Sequence, residues 1–395
     1  MAYDPKLLKS GSDVAAIVGI GETDFGADYA AARARKPPTA DVFGYAARGL
    51  KLALDDAGLK AGDVDGMVAA LVPWMRVEEV LGLNLQFSWG AFWVHEAMVL
   101  AIDAIQSGRC ECVAIIYGNN YRTAGRQFGG PNAVASEAVL HYYWYRPWGF
   151  TSQGAFDSVV VQRYMETYGL KFEDIAMVPI GQRAWASKNP RAIMRNPLTL
   201  EDYLRSPFVA APLRLLDYCL INDGGVTLLV TSVDRAKTLK KHPVVVVKGV
   251  GMGEDNTDMA QLRPKLNFSR KQMKGAAQEV YQMAGVGPED VSAFYYYDNF
   301  SGELFYMLEN CGYCEEGKAA EFIRTRGIGP GGKFPVNTSG GMLSEAYMHG
   351  WNAQAEMVRQ LRGEAGERQV PNARYAHFML NQNAKAGSVL YGRLS

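Results

Sequence analysis

The chain has 395 residues, and its 41 Lys+Arg are matched by 41 Asp+Glu, for a formal net charge of zero. That balance excludes the basic excess of a nucleic-acid-binding protein, and no apolar run reaches the roughly 18 residues of a membrane span. Five cysteines imply no disulfide framework, and the opening MAYDPKLLKSGSD has no secretory apolar stretch. The expectation is a soluble, cytoplasmic protein with core enough for two lobes.

In chain order, the first element is VAAIVGIG, Val14 to Gly21, a continuous apolar run that reads as a doubly covered strand ending in Gly-x-Gly. An amphipathic helix follows, with Leu50, Leu54 and Ala57 on one face and Gly58 as its left-handed cap. Next come a strand over Met67–Val72, a helix in AFWVHEAMVLAIDAIQSG and a strand in VAIIYG, Val113 to Gly118. A long insertion begins near residue 125 and carries the aromatic run HYYWYRPWGF, His141 to Phe150. Aromatic rings bury large areas, so this run reads as interface packing or as a wall for a bulky apolar ligand. VVVVKGVG, Val244 to Gly251, then repeats the first strand, with Gly249 and Gly251 placed 230 residues after Gly19 and Gly21. AGVGPEDVSA from Ala284 repeats AGLKAGDVDG from Ala57 at an offset of 227, and leads into AFYYY, Ala293 to Tyr297. Two matching offsets imply a duplicated strand–helix–strand unit and a layered α/β fold. The expected division is a first half over 1–124, an insertion with the end of the first half over 125–240, and a second half over 241–395.

A duplicated α/β chain of this length resembles the thiolase superfamily. The segments NPRAIMRNPLTLEDYLRSPFVAAPLRLLDYCLINDGG from Asn189 and KFPVNTSGGMLSEAYMHGWNAQAEMVRQLRGEAGERQV from Lys333 resemble its branch related to sterol carrier protein-x. The resemblance, from about Asp13 to Leu394, implies a five-layer αβαβα fold and a homodimeric core.

The chain departs from the thiolase pattern where the chemistry should be. Counting back from Gly108 places the thiolase nucleophile position at Ala91, which has no thiol, so no acyl-enzyme of the thiolase kind can form there. The His of the branch's His-Asp-x-Phe motif falls at Tyr297 in YYYDNFSG, and the His that follows the NxSGG turn falls at Tyr347. The C-terminal Cys-Gly motif is replaced in LNQNAKAGSVLYG. Paired tyrosines in this framework resemble the steroid side-chain-cleaving aldolases. The resemblance implies a steroid acyl-CoA substrate, retro-aldol cleavage to a ketone or aldehyde and a short acyl-CoA, no cofactor beyond that CoA, and a small OB-fold, zinc-ribbon acyl-CoA-binding partner in a heterotetramer.

Retro-aldol chemistry needs a base for the hydroxyl proton, donors for the thioester oxygen and an acid for the enolate carbon. Tyr297 and Tyr347 are the catalytic candidates. His349, Asn299 and His95 are secondary candidates, and Asn337 in the NTSGG turn reads as a loop-stabilising residue. Other routes have less behind them. Lys385 is the one lysine near a family motif for a Schiff base. His95-Glu96 starts a zinc pattern that Val99 breaks, and Cys311 and Cys314 form one CxxC without a second pair, so no metal is expected. Two other readings stay open: an inactive thiolase-like acyl-CoA-binding scaffold, and a thiolase-type acyltransferase that works without cysteine.

Overall fold

In the computed structural model, which describes residues 13–35, 40–126, 148, 152–254, 271–382 and 385–394, the first half runs β1 (Ala15–Glu22), α1 (Phe25–Ala34), α2 (Val42–Ala57), β2 (Gly66–Ala70), α3 (Trp74–Leu81), β3 (Phe87–Ala91), α4 (Val94–Gln106) and β4 (Cys112–Asn120). The insertion supplies α5 (Gln153–Tyr168), α6 (Phe172–Ser187), α7 (Leu200–Arg205) and a small hairpin of β5 (Phe208–Ala210) and β6 (Leu213–Arg214). The chain then returns through β7 (Asp223–Ser232) and α8 (Val233–Leu239). The second half holds β8 (Val245–Glu254), α9 (Lys271–Ala284), β9 (Ala293–Tyr296), α10 (Glu303–Asn310), α11 (Ala319–Arg326), α12 (Gly341–Ser344), α13 (Trp351–Arg362), β10 (Tyr375–Gln382) and β11 (Lys385–Arg393). Apart from the exposed Trp148, the aromatic run of residues 141–150 lies outside the described residues.

The duplication is physical. β1 and β8 start 230 residues apart, and α2 and α9 end 227 apart, at Ala57 and Ala284. Gly58 and Gly285 cap them with φ of 71° and 66°. A Cβ on Gly21 would stand 2.0 Å from the carbonyl oxygen of Gly49, and one on Gly251 would stand 2.1 Å from that of Ala276. In both halves a bare strand therefore lets the covering helix lie directly on the sheet.

The strands form one sheet in the order β3-β2-β4-β7-β1-β8-β11-β10-β9. The halves meet at its middle, where Ala16 faces Val246 and Ile17 faces Val245. Side-chain alternation along the strands builds the layers. One face of each half, with Val68, Ile115 and Leu228 in the first and Tyr295 and Phe378 in the second, packs on α4 and α13 in a shared core. On the outer faces, Ala114 and Ile116 pack under α2, and Phe294 and Met379 pack with α9. The order α2, sheet, α4 with α13, sheet, α9 is the five-layer thiolase-like arrangement that the sequence implies. No helix among the described residues is long and apolar enough to cross a membrane.

The central layer also holds charge. Glu356 of α13 is fully buried and accepts hydrogen bonds from Arg368 at 2.8 Å, Arg359 at 3.0 Å and the Thr338 hydroxyl at 3.0 Å. Arg359 reaches on to Glu22 at the end of β1, which ties α13 to the first half.

Candidate active site

Tyr297 stands one residue beyond β9, where its N–H still donates to the Met379 carbonyl of β10 at 2.9 Å. The NTSGG turn is locked to this strand end from both sides. Asn337, at φ 43°, accepts from the Tyr296 N–H at 3.0 Å and donates to its carbonyl at 3.3 Å, so its amide continues the sheet edge in place of a neighbouring strand. Asp298 in turn accepts from the N–H groups of Met342 and Leu343 at the start of α12, at 2.8 and 3.3 Å. Gly341, at φ 60°, makes that approach possible, because a Cβ there would lie 2.1 Å from the Asp298 carboxylate.

Tyr347 follows in the connection between α12 and α13. Its hydroxyl lies 2.9 Å from that of Tyr297, although the residues are 50 apart in sequence. Both rings are buried. Burial pushes both phenols well above the ordinary value of 10, and their mutual hydrogen bond lowers Tyr297 while raising Tyr347. The pair is therefore protonated at rest, and its hydroxyls are linked so that a proton entering at one oxygen can leave from the other.

The remaining candidates are placed differently from one another. His349 belongs to the tyrosine cluster: its ring stacks on Trp93 at 4.8 Å and meets Tyr297 edge-on at 5.5 Å. Burial lowers its imidazole to about 3, so it is neutral, and its Nδ1 has no hydrogen-bond partner among the described residues. Asn299 lies behind Tyr297 in a buried polar group. With its amide nitrogen turned to Glu303, it donates to that carboxylate at 2.9 Å and to the Tyr297 carbonyl at 3.3 Å, and accepts from Gln382 at 2.9 Å. His95 is elsewhere, in the first turn of α4 with its ring against Gly387 of β11, and burial lowers it to about 4. Lys385 is paired with Glu96 at 2.9 Å and Glu254 at 3.2 Å. Those carboxylates outweigh burial and raise its ammonium, which leaves it charged rather than nucleophilic.

Ala91 closes β3, and α4 starts only at Val94, with Trp93 as its cap. The strand-to-helix junction thus presents the rings of Phe92 and Trp93 to His349 where thiolases place a nucleophile. Sequence reasoning passed over Trp93, Tyr117, Tyr121, Asn119 and Asn222. Tyr117 stacks on His349 at 6.1 Å, and Tyr121 lies 6.1 Å from Tyr347. Tyr117 and Tyr121 straddle the end of β4, and their placement at a strand C-terminus was the available signal. Among the described residues, no group of three or more His, Cys, Asp or Glu side chains is placed to hold a metal.

Asp298 gives a pH prediction. Burial pushes its carboxyl up to about 7, against the opposing N–H donors of Met342 and Leu343. A raised carboxyl contributes stability that is complete below the unfolded value of about 4 and is lost as pH rises through the folded value. Asp298→Asn keeps an oxygen for those N–H groups and cannot ionise. Relative to wild type, the variant should gain on the order of 2 kcal/mol between about pH 5.5 and about pH 8, read as a widening gap in thermal midpoint. A gap that does not change with pH would contradict this placement of Asp298.

Comparison with known proteins follows the same lines. Residues 253–387 match the family Thiolase C-terminal domain-like. The chain is 34% identical to 17-hydroxy-3-oxo-4-pregnene-20-carboxyl-CoA lyase of Mycobacterium tuberculosis, over 89% of this chain and 92% of that protein. It is 33% identical to the steroid side-chain-cleaving aldolase of Thermomonospora curvata, over 88% and 90%. The solved Ltp2-ChsH2(DUF35) aldolase superposes with a TM-score of 0.86 at 29% identity, covering 97% of this chain and 98% of that one.

Proposed function

We propose that this chain, which belongs to the steroid side-chain-cleaving aldolases of the thiolase superfamily, is a carbon–carbon lyase that splits a β-hydroxyacyl-CoA steroid side chain by retro-aldol reaction. The observation that carries the reading is the 2.9 Å contact between the buried Tyr297 and Tyr347 hydroxyls, next to a pseudo-nucleophile position occupied by Ala91.

The chemistry follows from two neutral, hydrogen-bonded phenols. The substrate hydroxyl gives its proton to one tyrosine oxygen as the bond between its carbon and the thioester α-carbon breaks. That tyrosine passes its own proton along the 2.9 Å contact, and the second tyrosine delivers a proton to the enolate carbon. One proton leaves the alcohol and one reaches the carbon, so both tyrosines end as they began. No charge has to persist on either phenol, which suits groups whose ionisation burial disfavours. The rings of Trp93, Tyr117 and His349 exclude water from the pair. The step is redox-neutral and moves only protons, so this reading requires no cofactor beyond the CoA carried by the substrate.

The same reading assigns a cytoplasmic enzyme of steroid catabolism, such as cholesterol breakdown, that works as a heterotetramer: a homodimer of this chain with a small OB-fold, zinc-ribbon partner on each copy. The outermost strand β3, with Trp89 and Phe92 about half exposed, supports the homodimer, because an apolar sheet edge is a surface that a second copy covers. A relative named together with a DUF35 chain supports the partner.

The test is incubation with 17-hydroxy-3-oxo-4-pregnene-20-carboxyl-CoA, with and without co-expressed partner, followed by chromatography of both products and intact mass of the enzyme. The expected result is a steroid ketone and a short acyl-CoA in equal amounts, with no acyl adduct on the protein. Binding without turnover in every assembly would favour the inactive scaffold, and a stable adduct on any cysteine would remove the nucleophile-free mechanism.

A further inference from the structure

Tyr347 lies outside regular secondary structure, and the chain reverses just after it through His349 at φ 54° and Gly350 at φ 88°. Its buried main-chain groups must still find partners. They find them on two side chains of the other half. The Tyr347 N–H donates to Asn222 Oδ1 at 2.7 Å, and Asn119 Nδ2 donates to the Tyr347 carbonyl at 3.3 Å. Both asparagines are fully buried. They arise from one place in the first half, since β4 and β7 are antiparallel and Asn119 pairs with Gly224 while Asn120 pairs with Asp223. Each is itself fixed: Asn119 accepts from the Tyr121 N–H at 3.4 Å and donates to the Tyr117 hydroxyl at 3.0 Å, and Asn222 donates to the Asp223 carbonyl at 3.1 Å.

We infer that Asn119 and Asn222 are positioning residues that grip both faces of the Tyr347 peptide and so set its hydroxyl at hydrogen-bond distance from Tyr297. Tyr297 is anchored by the second half alone, through β10 and the NTSGG turn, whereas Tyr347 is held by the first half. The proton relay therefore spans the two halves, and the clamp fixes its length. The inference rests on the two-tyrosine reading above. A displacement of about 1 Å at a reacting group costs about 10²-fold in rate, so the clamp acts on kcat and leaves substrate affinity nearly unchanged.

The two amides have opposite jobs, and this makes the test specific. Asn222 serves Tyr347 as an acceptor, and an aspartate accepts in either protonation state. Asn119 serves it as a donor, which an ionised aspartate lacks. Asn222→Ala and Asn119→Asp should each lower kcat by about 10²-fold with little change in KM, while Asn222→Asp recovers most of that loss. If the alanine variant does not fold, the two aspartate variants carry the test by themselves. In a Tyr347→Phe background, neither Asn222→Ala nor Asn119→Asp should lower the residual rate further, because the group they position is already gone.

The measurement is kcat and KM on 17-hydroxy-3-oxo-4-pregnene-20-carboxyl-CoA for each variant, in the assembly that turns the substrate over. The inference is overturned if the clamp variants match wild type while Tyr347→Phe is impaired, if their losses multiply with that of Tyr347→Phe, or if Asn222→Asp is as slow as Asn222→Ala. If Tyr347→Phe itself is as fast as wild type, the two-tyrosine reading falls first and the clamp falls with it.

Discussion

Tyr297→Phe and Tyr347→Phe should each lower kcat by about 10²–10⁴-fold, the usual contribution of a general acid or base. Only a hydroxyl is removed, and both rings keep their packing against Trp93, Tyr121 and His349, so the fold should survive. Neighbouring residues supply controls. The Tyr296 hydroxyl accepts from Gln182 on the outer face of the sheet, and the Tyr295 hydroxyl meets Thr338 in the central layer. Each phenylalanine variant there loses one hydrogen bond, about 1 kcal/mol of stability, and little rate. His349→Ala decides between phenol and imidazole. Its ring stacks on Trp93 beside the pair, so losing it should weaken packing and slow the reaction less than either tyrosine variant. If both tyrosine variants stay near the wild-type rate while His349→Ala is dead, the imidazole carries the chemistry.

The largest stability effect is expected at Glu356. Burial pushes this carboxyl up, but Arg368 and Arg359 outweigh that and hold it at about 2. Glu356→Gln leaves two buried guanidinium groups facing a neutral amide, and breaking a buried ion pair from one side costs about 3–5 kcal/mol. A depressed carboxyl contributes stability that is present above its unfolded value of about 4.3 and is lost as pH falls through the folded value. The gap between wild type and Glu356→Gln in denaturant midpoint should therefore be level from neutral pH down to about pH 5 and shrink below about pH 4. The Thr338 hydroxyl links Glu356 to Tyr295 on β9, so loosening this hub should also loosen the strand that ends in Tyr297. A variant as stable as wild type at neutral pH would show that the arginines find other partners.

Much of this was legible because the informative signals were local. Gly-x-Gly runs and Ala-Gly caps repeat at fixed offsets, and the structure keeps those offsets to the residue: α2 ends at Ala57 and α9 at Ala284. The registers that led to Tyr297 and Tyr347 were likewise short counts from glycines. What stayed hidden depends on long-range contacts. Asn119 and Asn222 are single polar residues at strand ends, and their bonds to Tyr347 cross 228 and 125 residues, so no spacing in the chain announces them. His95 stood out for closeness in sequence to the pseudo-nucleophile. The helix turns its ring toward Gly387 instead, and the ring from that junction that reaches both Tyr297 and His349 belongs to Trp93.

The origin of the proton on the released acyl group tests the central claim most directly. Cleavage run in D₂O should deliver one solvent deuteron to the α-carbon of the acyl-CoA product, read by mass spectrometry, because the substrate hydroxyl and both phenols exchange with solvent before turnover and the relay ends on that carbon. Tyr297→Phe and Tyr347→Phe should form the same labelled product at their lowered rates. An acyl-CoA without solvent deuterium, or an acyl group found on the protein before release, would contradict a retro-aldol reaction carried by two tyrosines.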